Sequence, residues 1–326
     1  MIFVPGDITT IKFLLRRSVQ GSVLFSAIAS QFTLSLSKGH SLVRSYRHSA
    51  YPNNLLMVTF PNCKINLGLS ITGKRPDGYH NLETIFFPIT IKDVLEIISA
   101  DKTELTVTGN EIDVKPEENI CFKAYQLLKK DFPELPAIKI HLHKTIPSGA
   151  GLGGGSADAS FILKMLNDKF QLNLSTDQLI SYGLQLGSDC PFFIINKPCL
   201  ATGRGEILEE IKIDLSAYKI LIINPGIHIN TGWAFTQLTP TLPAKPIKEI
   251  IQQPVSTWKD KLKNDFEEPV FKKYPEIKSL KETLYNNGAI YAAMSGSGSS
   301  VFGLFEKEKK MKIDFPGNYF TKELFC

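Results

Sequence analysis

Apolar and polar positions alternate along this chain in blocks that predict strands and helices in mixed order. Residues 58–69 suit a strand that runs out near Ser70 to Gly73. A polar loop, KRPDGYHN, separates it from LETIFFPITI and DVLEIIS, which read as two further strands. TELTVT, over 103–108, alternates as another and closes on a Gly109-Asn110 turn. Residues 119–130 set Ile120, Ala124, Leu127 and Leu128 along one helix face and end in basic residues, which suit the helix dipole. In AIKIHLH, over 137–143, strict alternation turns Ile138, Ile140 and Leu142 toward a core.

Helices are predicted over 156–170 and 176–186, the second ended by Gly187-Ser188-Asp189-Cys190-Pro191. Because Pro191 cannot continue that helix, Phe192-Phe193-Ile194-Ile195 reads as a short buried strand. YKILIIN, over 218–224, is a second buried strand. Two helical stretches, a strand over 289–294, the run GSGSS and the strand VFGLF complete the pattern. Strands and helices interleave without a strict βα repeat, so the fold class is α+β rather than a doubly wound sheet. A chain of 326 residues has room for two domains of about 100–200 residues each, here 57–215 and 216–326.

Hydrophobic content of 43% is that of an ordinary globular protein, and no run of apolar residues is long enough for a membrane helix. Residues 1–56 hold Lys12, Arg16, Arg17, Lys38, Arg44 and Arg47 against Asp7 alone, which accounts for the whole formal charge of +5. The rest is neutral, so nothing in the composition calls for nucleic acid. That basic, serine-rich leader admits three readings: upstream codons ahead of a true start at Met57, an organelle transit peptide, or a secretory signal. On each of them the leader stands outside the fold. Cytoplasmic placement is the expectation, or a plastid-type organelle if the leader is a genuine transit peptide. Cys63, Cys121, Cys190, Cys199 and Cys326 are scattered, with no CxxC and no Cys/His cluster, which suits reduced thiols and no zinc site.

The chemistry centres on KTIPSGAGLGGGSADAS, over 144–160. Glycines ahead of a helix N-terminus let bare backbone and unpaired N–H groups approach a phosphate. Gly149 to Gly154 formally satisfy GxGxxG, but Lys144 to Pro147 separate the loop from its strand, which argues against a dinucleotide fold. No lysine precedes Ser156, so this is not a Walker A loop.

The stretch from Pro147 through Ser156 resembles the phosphate loop of the GHMP kinase superfamily. Pro61-Asn62-Cys63-Lys64-Ile65-Asn66-Leu67 resembles its N-terminal strand motif, and Met294-Ser295-Gly296-Ser297-Gly298-Ser299 its C-terminal glycine motif. Within the superfamily, KRPDGYHNLET over 74–84, LGSDCPF over 186–192 and GRGEIL over 203–208 resemble the 4-diphosphocytidyl-2-C-methyl-D-erythritol kinase family. The likeness covers the body from Val58 onward and none of the leader.

This resemblance implies an N-terminal ribosomal-protein-S5-domain-2-like domain and a C-terminal ferredoxin-like domain, with the active site in the cleft between them. It implies ATP and Mg2+ as cofactors and phosphorylation of the 2-hydroxyl of a cytidine diphosphate ester, in the non-mevalonate route to isoprenoids. Such a kinase needs positioned phosphates, charge neutralisation and an acceptor for the hydroxyl proton. By resemblance Asp189 is that acceptor and Lys64 the cation beside it. Asn119, Lys144, Pro147, Gly149, Gly151, Leu152, Gly153, Gly154, Gly155 and Ser156 match the ATP site. Asn66, Tyr79, His80, Thr231 and Phe235 match the substrate side. The metal ligands are unassigned, with Ser156 as a candidate. A small-molecule substrate and a monomer or weak homodimer are expected.

Two of these expectations rest on the residues themselves. A lysine within an apolar strand calls for a charged partner. Asn66 shares the face of Lys64. Two features depart from the family pattern: Cys63 and Cys190, flanking the catalytic pair, suggest thiol sensitivity, and Asp158 suits stabilisation of the first helical turn or a second acid near the phosphates. The competing readings are a kinase for homoserine or a mevalonate derivative, which has no base to stack on Tyr79, and a nucleotide-binding sensor, which would not need Lys64 and Asp189.

Overall fold

Strands β1 (Met57–Thr59), β2 (Asn62–Lys74), β3 (His80–Lys92), β4 (Val94–Ser99) and β5 (Glu104–Gly109) open the fold, followed by helix α1 (Ile120–Asp131) and β6 (Ile138–Lys144). The computed structural model describes residues 56–110, 114–311 and 313–325; the leader expected over 1–56 lies, apart from Leu56, outside them. Helices α2 (Gly154–Phe170), α3 (Thr176–Leu186) and α4 (Cys190–Ile195) come next, then β7 (Cys199–Thr202), β8 (Ile207–Glu210) and β9 (Tyr218–Asn224). The second half continues with α5 (Thr231–Thr236), α6 (Ile247–Ile251), α7 (Trp258–Lys261), α8 (Glu267–Lys273) and α9 (Pro275–Asn286), then β10 (Tyr291–Met294), β11 (Val301–Glu306) and β12 (Phe320–Phe325).

The strands form three four-stranded sheets, ordered β1-β4-β6-β5, β2-β3-β7-β8 and β10-β11-β9-β12. Among the strand pairs of the described residues only β5–β6 is parallel, and helices and strands are both plentiful, as an α+β fold requires. The alternation of β6 is realised: Ile138, Ile140 and Leu142 are buried against α1 and α2. In β9 the apolar run is continuous because both faces are covered. Ile220 and Ile222 face the cluster holding Trp258, while Leu221 and Ile223 face the one holding Leu280 and Leu284. Each such fully buried aliphatic side chain contributes about 1.5–3 kcal/mol.

Four expectations are corrected. The strand over 58–69 is two strands, because Pro61 has no N–H and its carbonyl instead accepts from Asp93 N, leaving β1 beside β4 and β2 beside β3. The phosphate-loop helix starts at Gly154, two residues early, since Gly153 takes the left-handed conformation at its N-cap. The expected strand over Phe192 to Ile195 is helix α4: proline is tolerated in a first turn, where its missing N–H has no helical partner in any case, so Pro191 begins a helix rather than forbidding one. Strands β7, β8 and β12, too short or too polar to stand out, were not anticipated.

Candidate active site

Lys64 lies in the middle of β2 and is 4% exposed, so its ammonium needs partners. It finds three. Asn66 Oδ1 accepts at 2.6 Å from the same strand face, the Gly151 carbonyl accepts at 3.3 Å, and Asp189 Oδ2 lies at 3.4 Å. Asp189 is the N-cap of α4, yet its side chain makes no capping bond and stays partly exposed, which leaves the carboxylate turned to Lys64. The Phe86 ring, 4.9 Å from Lys64 Nζ, closes the other side.

The phosphate loop is built from alternating left-handed glycines: Gly149, Gly151 and Gly153 have φ of 62°, 76° and 71°. Its tip abuts the second glycine run. Ser295 Oγ donates to the Gly151 carbonyl at 2.8 Å, Ser300 N donates to the Ala150 carbonyl at 3.1 Å, and Asn264 Nδ2 donates to the Met294 and Gly296 carbonyls. A Cβ at Gly151 would collide with the Ser295 carbonyl. No side chain caps α2, so the N–H groups of its first turn remain open beside Lys64. That is a cradle for an anion at a helix N-terminus.

Beneath the cradle sits a buried ion cluster. Lys144 Nζ bonds to Asp93 Oδ2 and, at 2.8 Å, to Asp158 Oδ2, and all three side chains are at most 2% exposed. Asp93 Oδ1 accepts from Thr145 N and Ile146 N, which pins the chain entering the loop. Asp158 therefore does not serve the first turn of α2; it is a partner of Lys144. Its Oδ1 has no hydrogen bond, and burial raises its pKa to about 7 against the pull of Lys144, with Asp93 competing for the same ammonium. The two carboxylates outweigh burial at Lys144 and hold its pKa above the usual lysine value. Asn119 caps α1 by accepting from Cys121 N, and Ile120 Cγ2 lies 4.0 Å from the Cβ position of Gly155, so α1 begins beside the loop.

At the far end His80 stacks on Phe235, ring centres 5.0 Å apart and planes 17° from parallel, and Phe235 meets Phe266 edge-on. Tyr79 is 53% exposed, and Thr231 shares a 3.0 Å hydrogen bond with Ser297 of the second glycine run. The expected site residues thus fall in three connected places: Lys64, Asn66 and Asp189 at the centre, the loop with Lys144 and Asn119 on one side, and Tyr79, His80, Phe235 and Thr231 on the other. Ser156, in the first turn of α2, is half-buried. Among the described residues no three His, Cys, Asp or Glu side chains gather as a metal site.

Sequence reasoning missed Asp93, Ser295 and Asn264. A single Asp between two apolar strands reads as a turn, and Ser295 was visible only as one letter of a glycine run. The thiol expectation is also corrected: Cys63 and Cys190 are fully buried, and burial raises the Cys190 pKa to about 11 and that of Cys63 further still.

A glycine cradle over a helix N-terminus, closed by a second glycine run and faced by a Lys–Asp pair, is the arrangement of a small-molecule phosphotransferase. Two families agree with it: the GHMP kinases N terminal domain matches residues 119–197, and GHMP kinases C terminal matches 247–313. A Bacteroides fragilis protein named 4-diphosphocytidyl-2-C-methyl-D-erythritol kinase is 53% identical over 274 residues, 82% of this chain and 100% of that protein. Its namesake in Chlorobium chlorochromatii is 41% identical over 253 residues, covering 75% of this chain and 87% of that one. A crystal structure of 4-(cytidine 5'-diphospho)-2C-methyl-D-erythritol kinase superposes with a TM-score of 0.66 at 31% identity, over 76% of this chain and 90% of its own. Methanococcus jannaschii mevalonate kinase shares the fold alone, with a TM-score of 0.60 at 15% identity over 84% of this chain and 100% of its own. This chain belongs to the 4-diphosphocytidyl-2-C-methyl-D-erythritol kinase family of the GHMP kinases.

Proposed function

We propose that the protein transfers the γ-phosphoryl group of ATP to the 2-hydroxyl of 4-diphosphocytidyl-2-C-methyl-D-erythritol, a step of non-mevalonate isoprenoid biosynthesis. The observation that carries the reading is the Lys64–Asp189 pair, 3.4 Å apart beside the glycine cradle, with the His80–Phe235 stack at the other end of the same site.

In this reading a new bond forms between the 2-oxygen and the γ-phosphorus, the bond from that phosphorus to the bridging oxygen breaks, and the hydroxyl proton passes to Asp189. Lys64, held by Asn66 and the Gly151 carbonyl, meets the charge that develops on the transferring group. The open N–H groups over Gly153 to Ser156, with Gly149, Gly151, Leu152 and Pro147 shaping the turn, receive the ATP phosphates. Asn119 and Lys144 border the nucleoside end of the ATP. The Ser156 hydroxyl suits a Mg2+ ion held mainly by ATP oxygens, which would neutralise phosphate charge. Tyr79, His80 and Phe235 offer flat faces and a hydrogen-bonding ring to the cytosine, and Thr231 lines the same side.

We place this reaction in the cytoplasm, with the chain acting as a monomer or weak homodimer; Cys63, Cys121, Cys190 and Cys199 are all free, which suits a reducing compartment. Among the described residues no helix is long and apolar enough to cross a membrane. We take the two domains to divide near residue 215, as the chain enters β9. Phosphorus NMR of the product tests the function: a new phosphomonoester signal, coupled to the 2-position, with the diphosphate signals retained, is expected. A product without that signal contradicts the reading.

A further inference from the structure

Arg204 connects the two ends of the site. It lies in the β7–β8 turn between Gly203 and Gly205, both left-handed at φ 69° and 109°. The Gly203 carbonyl accepts from Leu82 N at 2.7 Å, which locks the turn to β3 two residues beyond His80. On one side of Arg204, the Cβ position of Gly205 is 3.8 Å from Asp189 Oδ1. On the other, the Arg204 guanidinium lies over Tyr79, its central carbon 4.7 Å from the ring centre. Glu206 Oε1 lies 3.6 Å from Nε, and the other carboxylate oxygen is taken by the backbone N–H of Arg204; the Asp77 carboxylate also feels the Arg204 charge. Among the described residues no hydrogen bond engages either terminal nitrogen of Arg204. Arg75, on the neighbouring hairpin loop, differs: Asp77 holds its Nε and Nη2, and Asn81 its Nη1.

We propose that Arg204 is a substrate-binding residue that takes the diphosphate bridge of the cytidine ester, a deeper statement of the function proposed above and resting on it. The nucleoside end of that substrate belongs with Tyr79, His80 and Phe235, and its alcohol end with Lys64 and Asp189. The doubly charged bridge must cross from one to the other, and the Arg204 turn runs along that crossing. A guanidinium held over an aromatic ring and steered at Nε keeps a planar fork of donors for phosphate oxygens. Lys64 is bound to Asn66, Gly151 and Asp189, and Lys144 is buried with its two carboxylates, so neither ammonium can serve the bridge without giving up those partners.

The test uses the full chain, with Arg204→Gln and Arg204→Met, which keeps an apolar stem over Tyr79 and carries the same test where Arg204→Gln fails to fold. KM is measured for the cytidine ester and for ATP, and Ki for CDP and for uncharged cytidine. Loss of a charge-assisted contact raises KM for the ester and Ki for CDP by about 10- to 100-fold. KM for ATP and Ki for cytidine stay within about 2-fold. Equal losses for CDP and cytidine would overturn the proposal, because Arg204 would then only shape Tyr79. An unchanged ester KM, or an ATP KM rising in step, overturns it too. Failure of the underlying function shows separately, as wild-type protein that turns over another alcohol and not the cytidine ester.

Discussion

Lys64 Nζ and Asp189 Oδ2 are 3.4 Å apart, one from the middle of β2 and the other from the head of α4, with the Gly151 carbonyl touching the same ammonium. The contact ties three distant segments to one point, and the account of catalysis depends on it. Asp189→Asn removes the proposed proton acceptor and is expected to lower kcat by about 10^2- to 10^4-fold. Lys64→Met costs a comparable amount through lost charge stabilisation. Because the two act on one event, the double variant is scarcely slower than the worse single one; multiplied losses in steady-state kinetics would mean they act independently.

The meeting of the two glycine runs predicts contrasting tolerance along one loop. Gly151→Ala forces a left-handed alanine, costing about 1–2 kcal/mol, and drives its methyl at the Ser295 carbonyl, so the cradle opens and KM for ATP rises. Gly155→Ala sits in the first helical turn with its nearest foreign atom 4.0 Å away, and alanine gains roughly 0.5–1 kcal/mol over glycine there. Urea melts of both variants would reveal the difference, and equal destabilisation would contradict the described packing.

The buried Asp158 predicts a pH signature. Its folded pKa, about 7, is above the ordinary carboxylate value of 3.8, so the folded state binds its proton more tightly than the unfolded chain. Stability from this group is therefore present at low pH and falls as pH rises from about 4 to 7. In Asp158→Asn that slope flattens. Thermal midpoints of variant and wild type should converge near pH 4, with the variant ahead at pH 8; a variant that loses most at pH 8 would show the ionised Lys144–Asp158 pair to be net stabilising.

Thiol chemistry should leave the four described cysteines of the folded protein alone. Cys63, Cys121, Cys190 and Cys199 are buried, and burial raises every one of their pKa values, to about 11 for Cys190 and Cys199. Peptide mapping after an alkylating reagent at pH 8 should find these four unmodified without denaturant. Modification of Cys190 with loss of activity would restore the sensitivity that its place beside Asp189 first suggested.

How legible this site was depended on how local each signal is. The cradle was readable because glycine is needed wherever φ turns positive, and Gly149, Gly151 and Gly153 carry that requirement in the sequence itself. The strand face shared by Lys64 and Asn66 followed from the two-residue period. Helix α4 was misread because a proline both ends helices and begins them, and only the packing of Phe192 and Phe193 against Phe86 and Ala157 decides which. Asp93 and Lys144 are 51 residues apart, and no periodicity links them; their pairing exists only once β4 and β6 lie side by side.

The most direct test of the central claim follows ADP release by the protein with ATP and Mg2+, offering the cytidine diphosphate ester of methylerythritol, homoserine and mevalonate in parallel, with Asp189→Asn as control. The account predicts turnover with the cytidine ester alone, falling by at least about 100-fold in the variant. Turnover of homoserine or mevalonate in preference to the ester, or an Asp189→Asn variant as fast as wild type, would contradict it.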